Sequence, residues 1–567
     1  MKKSILFFVA VLSLAACKTD LTEIDRQIKE AQDQVQGLAN SNRELKEEAD
    51  ALKRKGEELD EQARKRQEEN EKIQQRLQDL EDTLNEPQLL TMEFLSSDNP
   101  LQLIENTPCT IIGDSVVECR ILNVTSEKVL IPRFTFKGSV VTIEGVEAES
   151  GVTAFDFTNP VVLSIITPKK IKDYRVYVTS YTGLPTVWLE TNGHINITNA
   201  NQYYGGIIKV IGNPTTRSGN GVTQASVKIM GLSPIRWYQS DYILSNSNAM
   251  LLAKNTYVLK FNNDISLLGD PNGTTWGLYP HLDDLTFLHN QTAYYLGEIS
   301  NLDYTPRGHF VDMFFNSRYF GTYGFVERPE ISRDKVNVGD DGFILSIGSD
   351  ESGSTFSVDR IDRKVTILAP AVPSSEALSY VSNFVDEAEE VLFSSYFTDE
   401  TSGWQKYMDM DSFVDWYLIN EIAKNQDGAF QTNCLMNLER GGKLKMGPLW
   451  DFEDAFGDIS NTSYNGFVIK NVSWYARLFQ DPAFVARVKE RYDYFYDHRQ
   501  DILAEISANA EYLKYSIQEN DNRWEYLAAY KSYTSDTWAI YGSLVANMKY
   551  WLASRMDWLK GEFDAMA

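Results

Sequence analysis

Between Asn425 and Gly457, three side chains have types and spacing suited to phosphoryl transfer: Asp427, Asn433 and Asp451. Such a reaction needs one carboxylate to accept the proton of an incoming hydroxyl. It also needs an amide oxygen a few residues on for a divalent cation, and a second aspartate beyond the next hairpin to bridge that cation to the phosphates. Asp427 precedes Asn433 by six residues, and Asp451 follows the strand pair suggested by CLMNLERGGKLKMGPLW. Asp427 would be the base, and Asn433 with Asp451 would hold a hard, oxygen-preferring metal ion. Plainer roles fit the same residues. An aspartate in a QDG turn can simply turn the chain, and Asp451 can start a helix as its N-cap.

These residues need elements to position them. Asp411-Ser412 is expected to cap a helix, SFVDWYLINEIAKN, whose Val414, Tyr417, Leu418 and Ile422 form an apolar face and which delivers the Asp427 loop. A connector at 353–402 contains the helical stretch SSEALSYVSNFVDEAEEVLF. The tail from about residue 472 to 566 reads as aromatic-rich helices, with Val545, Met548, Leu552, Met556 and Leu559 as a core-facing stripe.

Asn425, Asp427, Asn433, Pro448, Trp450 and Asp451 follow the pattern "N-x-D", a short loop to Asn, a hairpin, then "P-x-W-D". In this the segment resembles the CotH kinase family, the spore-coat protein H-like atypical protein kinases. Glu453 stands where that family usually has a second Asp. The resemblance resumes at Leu184-Pro185-Thr186-Val187-Trp188 and covers nearly all of the following chain. KNTYVLKFNNDISLLG is similar to the family's lysine strand, which makes Lys254 or Lys260 the implied phosphate-contacting lysine, although a lone strand lysine can equally face solvent. DLTFLHN is similar to "D-x-S-L-M-R-N", with His289 replacing Arg and Asn290 kept. YTPRGHFVDMFFNSRYFGTYGFVE resembles a family hairpin ending on Glu327, which could pair with the active-site lysine or form an ordinary cross-strand ion pair. At the family's glycine-rich turn this chain reads Met230-Gly231-Leu232-Ser233-Pro234, without the Arg and second Gly. The resemblance implies transfer of phosphate from ATP, with Mg2+ or Mn2+, to a hydroxyl of a protein substrate. The alternative is a catalytically inactive pseudokinase scaffold that binds protein or glycan at the cell surface.

At 567 residues the chain exceeds one ordinary core. A net charge of −26 leaves no basic footprint for nucleic acid. MKKSILFFVAVLSLAAC has a basic start, an apolar run too short to span a bilayer, and small residues before Cys17. Leu14-Ala15-Ala16-Cys17 resembles a bacterial lipobox, so the expectation is cleavage before Cys17, lipidation of its thiol, and anchoring to the outer membrane on its periplasmic or cell-surface side. A plain secretory signal is the alternative. An oxidising compartment permits a Cys109–Cys119 bridge across a hairpin. The five histidines lack metal-ligand spacing.

Heptads run through residues 21–84, with Leu77 and Leu84 ending one seam and Leu52, Leu59, Ile73 and Leu80 in the other. Asn42 and Asn70 favour a parallel homodimer, a rod ~95 Å long; a single extended helix is the alternative. From 88 to 182, short β-prone runs with turn residues suggest an antiparallel sandwich of immunoglobulin or cadherin type. The expected fold class is multidomain. A lipoprotein signal peptide (1–17) precedes a long α-helical coiled-coil stalk (18–87) and an all-β sandwich (88–182). An α+β atypical kinase-like domain follows (183–567), with a helical C-terminal part at 470–567.

Overall fold

The computed structural model describes residues 22, 25, 26, 44–84 and 86–566, apart from 104–105, 122–127, 181, 198, 200–201, 213–221, 232–253, 317, 349–352, 458–462 and 533. Cys17, most of the first heptads, and Leu232, Ser233 and Pro234 lie outside the described residues. Among those described, no helix is long and apolar enough to cross a membrane.

The chain divides into two compact units. The first contains helix α1 (Glu44–Leu84). Its side chains are described over 52–78 and are nearly all exposed, including the seam residues Leu52, Ile73 and Leu77. Glu61 pairs with Arg64 and Lys65 one turn on, a spacing that places them on one face.

The second unit begins with a β domain. Its strands are β1 (Gln88–Phe94), β2 (Thr107–Pro108), β3 (Thr110–Ile112), β4 (Val116–Ile121), β5 (Val129–Leu130), β6 (Arg133–Lys137), β7 (Val140–Ile143), β8 (Val146–Glu147), β9 (Phe155–Asp156), β10 (Val161–Ile166) and β11 (Ile171–Ser180). They form sheets in the orders β3-β4-β11-β10-β7-β8 and β2-β1-β6, with a small β5-β9 pair. Alternate residues such as Val117, Cys119, Ile121, Leu163, Ile165 and Val176 fill a separate apolar core, the period-two pattern of half-buried strands. The expected all-antiparallel arrangement is corrected at one pair: β4 and β11 run parallel. Alternation reports which face a strand buries, not its direction. Cys109 and Cys119 are both free thiols. Burial and the neighbouring Cys119 push the Cys109 thiol well up.

A closed seven-stranded barrel follows, in the order β12-β13-β14-β15-β16-β18-β17. Its strands are β12 (Thr186–Thr191), β13 (Tyr204–Ile211), β14 (Val222–Gly231), β15 (Tyr257–Ile265), β16 (Gly273–Tyr279), β17 (Gly308–Phe315) and β18 (Arg318–Glu327). The parallel pairing of β12 with β17 closes it, which leaves no open sheet edge. Helix α2 (His289–Glu298) crosses between β16 and β17. A five-stranded sheet then forms from β19 (Phe343–Ile347), β20 (Ser354–Val358), β21 (Ile361–Ala369), β22 (Cys434–Leu438) and β23 (Leu444–Met446), in the order β20-β21-β19-β22-β23. Helices α3 (Ser375–Leu392) and α4 (Met410–Ala423) lie between its strands in sequence. The tail contributes α5 (Ser473–Leu478), α6 (Pro482–Asp497), α7 (Arg499–Tyr512), α8 (Lys514–Trp524) and α9 (Thr537–Asp564). One continuous apolar core joins barrel, sheet and helices. Helix α8 is pinned to β18 by Asn520 Oδ1, which accepts from Thr322 N at 3.1 Å, and by Trp524 Nε1, which donates to Phe320 O at 2.8 Å. Gly321 allows this approach: a Cβ there would lie 2.3 Å from Asn520 Oδ1, at a φ of +91°.

Candidate functional site

Helix α4 carries the Asp427 loop, and its buried surroundings explain its sequence. Every residue from Ser412 to Ala423 is buried, so the helix is apolar almost all round and its few charges need partners. Asp415 accepts two bonds from Arg491, at 2.8 and 2.7 Å. Glu421 accepts from Arg555 Nη2 at 2.8 Å and from the backbone N–H groups of Val468, Ile469 and Lys470. The expected cap at Asp411-Ser412 is corrected to Asp409, whose Oδ1 accepts from Ser412 N at 2.9 Å. That Asp-x-x-Ser spacing puts the carboxylate over the orphan N–H groups of the first turn. At the other end Lys424 adopts the left-handed conformation, φ 54° and ψ 41°, which terminates the helix.

Asn425 then clamps both sides of the site. Its Nδ2 donates to Asn420 Oδ1 at 3.1 Å and to Asp451 O at 3.4 Å, while its Oδ1 accepts from Asp427 N at 3.2 Å. Asn433 immediately precedes β22 and donates through Nδ2 to Asp451 Oδ2 at 2.8 Å. Asn433 and Asp451 both have positive φ, 56° and 58°, a conformation that Asn and Asp tolerate better than most and that gathers at functional sites. No helix starts at Asp451, so it is not an N-cap. The structure therefore brings Asp427, Asn433 and Asp451 to one place.

Their electrostatics are those of crowded carboxylates. Burial, then the charges of Asp451 and Asp454, push the Asp427 carboxyl up to about 6. Asp451 is also raised, first by burial and then by Asp454. Glu453 is pushed up to about 8 by burial and by Asp451, Asp284, Asp283 and Asp454. Like charges held this close favour a bound cation or a proton. Among the described residues, no three His, Cys, Asp or Glu side chains are already drawn together to hold a metal ion. The donor set at the site is instead two carboxylates and an amide, all-oxygen chemistry that suits Mg2+ or Mn2+ once the Asn433 amide presents its oxygen.

Two histidines lie beside Glu453. His281 is buried, lies 4.0 Å through Nδ1 from Glu453 Oε1, and neither ring nitrogen has a hydrogen-bond partner. Burial pushes its imidazole down to about 4, so it is neutral. His289 Nδ1 lies 2.7 Å from Glu453 O, and its backbone N donates to Asp284 Oδ2 at 2.7 Å. Next to Asp451, Trp450 meets Tyr279 edge-on at 5.9 Å, and the Arg328 guanidinium sits 5.5 Å over Trp450.

A family model described as CotH kinase protein matches residues 246–559. The chain belongs to the CotH kinase family. No curated protein matches it.

The remaining CotH-motif residues fall in unequal places. Lys254, just before β15, is buried within electrostatic reach of Glu453, and burial pushes its ammonium well down. It donates to Pro280 O at 2.9 Å and Thr322 O at 2.7 Å and lies over the Phe287 and Tyr323 rings. Lys260 is corrected out of the site. Alternation along β15 buries Tyr257, Leu259 and Phe261 and turns Lys260 to solvent, between Lys228 and Thr275. Glu327 is fully buried, but the lysine beside it is Lys335, at 3.9 Å, rather than Lys254. It accepts from Tyr304 OH at 3.3 Å and Arg307 N at 3.1 Å. Asn290 supports the Asp451 loop through Oδ1, which accepts from Phe452 N at 2.8 Å. Sequence reasoning passed over His281 as a member of the site and over Lys335. The run His281-Leu282-Asp283-Asp284 was the available signal for the first; Lys335 had none.

Proposed function

We propose that the CotH domain transfers phosphate from ATP to a protein hydroxyl. The observation that carries this is the Asn433–Asp451 hydrogen bond with Asp427 close enough for the Asp451 charge to act on it, its carboxyl raised to about 6. A carboxyl with that affinity is largely ionised at neutral pH and can still take a proton, as a general base must. Asp427 would accept the hydroxyl proton, and Asn433 with Asp451 would hold Mg2+ or Mn2+. The cation supplies charge neutralisation at the phosphates. Asn425, Asn290 and His289 keep the two loops in register, which is the positioning on which such catalysis depends. Calorimetric titration of ATP with and without Mg2+ tests this reading. It expects metal-dependent binding that Asp451→Asn weakens by about tenfold or more, and no binding with either metal would remove it.

A second reading has its own support. Both donors described for Lys254 go to backbone carbonyls, and the glycine-rich turn is missing from the sequence. A pseudokinase scaffold, binding protein or glycan without transfer, accommodates both. In either case the proposed setting is a lipid anchor at Cys17 in the bacterial outer membrane, a dimeric stalk over 21–84, and an immunoglobulin- or cadherin-like module over 88–182.

A further inference from the structure

Strands β4 and β11 send Val117, Cys119, Tyr174 and Val176 into the β-domain core. Their alternate residues, Glu118, Arg120, Arg175 and Tyr177, therefore emerge on the opposite face, toward β17, β18 and α8. In two buried ion pairs on this seam both oxygens of the carboxylate are satisfied. Asp312 accepts from Arg120 Nη2 at 2.7 Å, Thr182 Oγ1 at 2.8 Å and Tyr319 OH at 3.1 Å. Glu519 pairs with Lys128 and accepts from Ser180 N at 3.0 Å.

A third group on the same seam is not complete. Arg318 Nη2 donates to Glu118 Oε1 at 3.2 Å, and Arg523 Nη2 lies 3.8 Å from that oxygen. Arg523 is 3% exposed; its Nε donates to Tyr319 O at 2.9 Å. Its Nη1 and Nη2, and Nε of Arg318, have no hydrogen-bond partner among the described residues. Glu118 Oε2, on the carboxylate they surround, is likewise without a hydrogen-bond partner among the described residues. Burial and the nearby Arg523 charge lower the Arg318 guanidinium, opposed by Glu118, which places two like charges around one carboxylate. Arg523 is stacked over Tyr177 and Trp524, so it cannot swing away freely. Arg175 follows on the same strand face and lies 3.6 Å from Glu525, whose side chain is 39% exposed and forms the rim. Among the described residues, three arginines lie against two glutamates here, in a chain of net charge −26. Buried donors without acceptors are costly, and a guanidinium fork matches the paired oxygens of an oxyanion such as phosphate.

We propose that Arg175, Arg318 and Arg523 form a binding site for a tetrahedral oxyanion of the phosphate class at the junction of the β domain and the barrel, entered past Glu525. This site is separate from the acidic Asp427–Asp451 cluster and does not depend on the kinase reading.

Equilibrium binding of radiolabelled inorganic phosphate to the full chain tests it, in EDTA, without nucleotide, at constant ionic strength in chloride. The expected result is saturable binding that Arg175→Gln weakens by about tenfold or more. Lys260→Gln, which removes the same charge from the exposed barrel strand, should leave the Kd unchanged. Arg523→Gln should abolish binding, but its burial makes misfolding a competing explanation, so the rim variant decides. Absence of saturable binding by the wild type, or equal affinity in wild type and Arg175→Gln, overturns the proposal. O-phosphoserine serves as a second arm. Binding as tight as phosphate marks a phosphorylated side chain as the source, weaker binding marks the free ion, and either supports the site.

Discussion

Replacing Arg555 with methionine should loosen the helix that holds the Asp427 loop. Arg555 is fully buried in α9 and reaches α4 through Nε to Glu421 O at 2.9 Å and Nη2 to Glu421 Oε2 at 2.8 Å. Its Nη1 also donates to Tyr464 O at 2.8 Å and Gly466 O at 2.7 Å. Breaking a buried ion pair from one side costs about 3–5 kcal/mol, because the other charge is left behind. Glu421 would keep the N–H groups of Val468, Ile469 and Lys470, so the lower end, about 3 kcal/mol, is expected. In a chain this size unfolding need not be a single step, so local hydrogen exchange is the suitable assay. Amides of α4 should exchange about a hundredfold faster, with the β-domain strands unchanged. Adding Glu421→Gln should recover part of the loss, as expected for coupled neighbours. A change under about tenfold at α4, or strictly additive effects of the two substitutions, would refute the argument that this pair holds the loop.

Other expectations follow from charge and burial. Glu453 is pushed up to about 8, so the folded state retains a proton that the unfolded chain has already released. Without divalent cation, stability should then fall as pH rises from the ordinary carboxylate range through about 8, and Glu453→Gln should flatten that slope in thermal unfolding. Lys260→Ala should change stability by less than ~0.5 kcal/mol, whereas Lys254→Met, which leaves Pro280 O and Thr322 O unpartnered, should cost ~1–3 kcal/mol by the same measurement. Sedimentation of chains with and without residues 21–84 should show a dimer only when the segment is present; monomers in both would leave α1 as a stalk alone.

Asp427, Asn433 and Asp451 were legible because they lie in one short stretch, where hairpin residues with strong β and turn preferences dictate the approach. The β-domain alternation was legible for the same local reason. What escaped depends on contacts distant in sequence. The left-handed turn at Lys424 and the clamp by Asn425 follow from how α4 ends against the Asp451 loop. Whether Lys254 or Lys260 faced inward required the register of β15, since a shift of one residue exchanges the two faces. Glu327 meets Lys335 only because the turn after β18 folds back, and Arg523 meets Glu118 across hundreds of residues. Barrel closure by parallel β12–β17 likewise has no short-range signal.

Under the proposed function, Asp427 and Asp451 serve one phosphoryl-transfer site. The most direct measurement is transfer from radiolabelled ATP, with Mg2+ or Mn2+, to a panel of secreted proteins and to the protein itself, comparing wild type with Asp427→Asn. Transfer by the wild type is expected, with a loss of about a hundredfold or more in the variant and metal-dependent ATP binding retained, because Asp427 is assigned to the incoming hydroxyl. Transfer of equal rate by Asp427→Asn, or no transfer by a wild-type protein that binds ATP and metal, would contradict it.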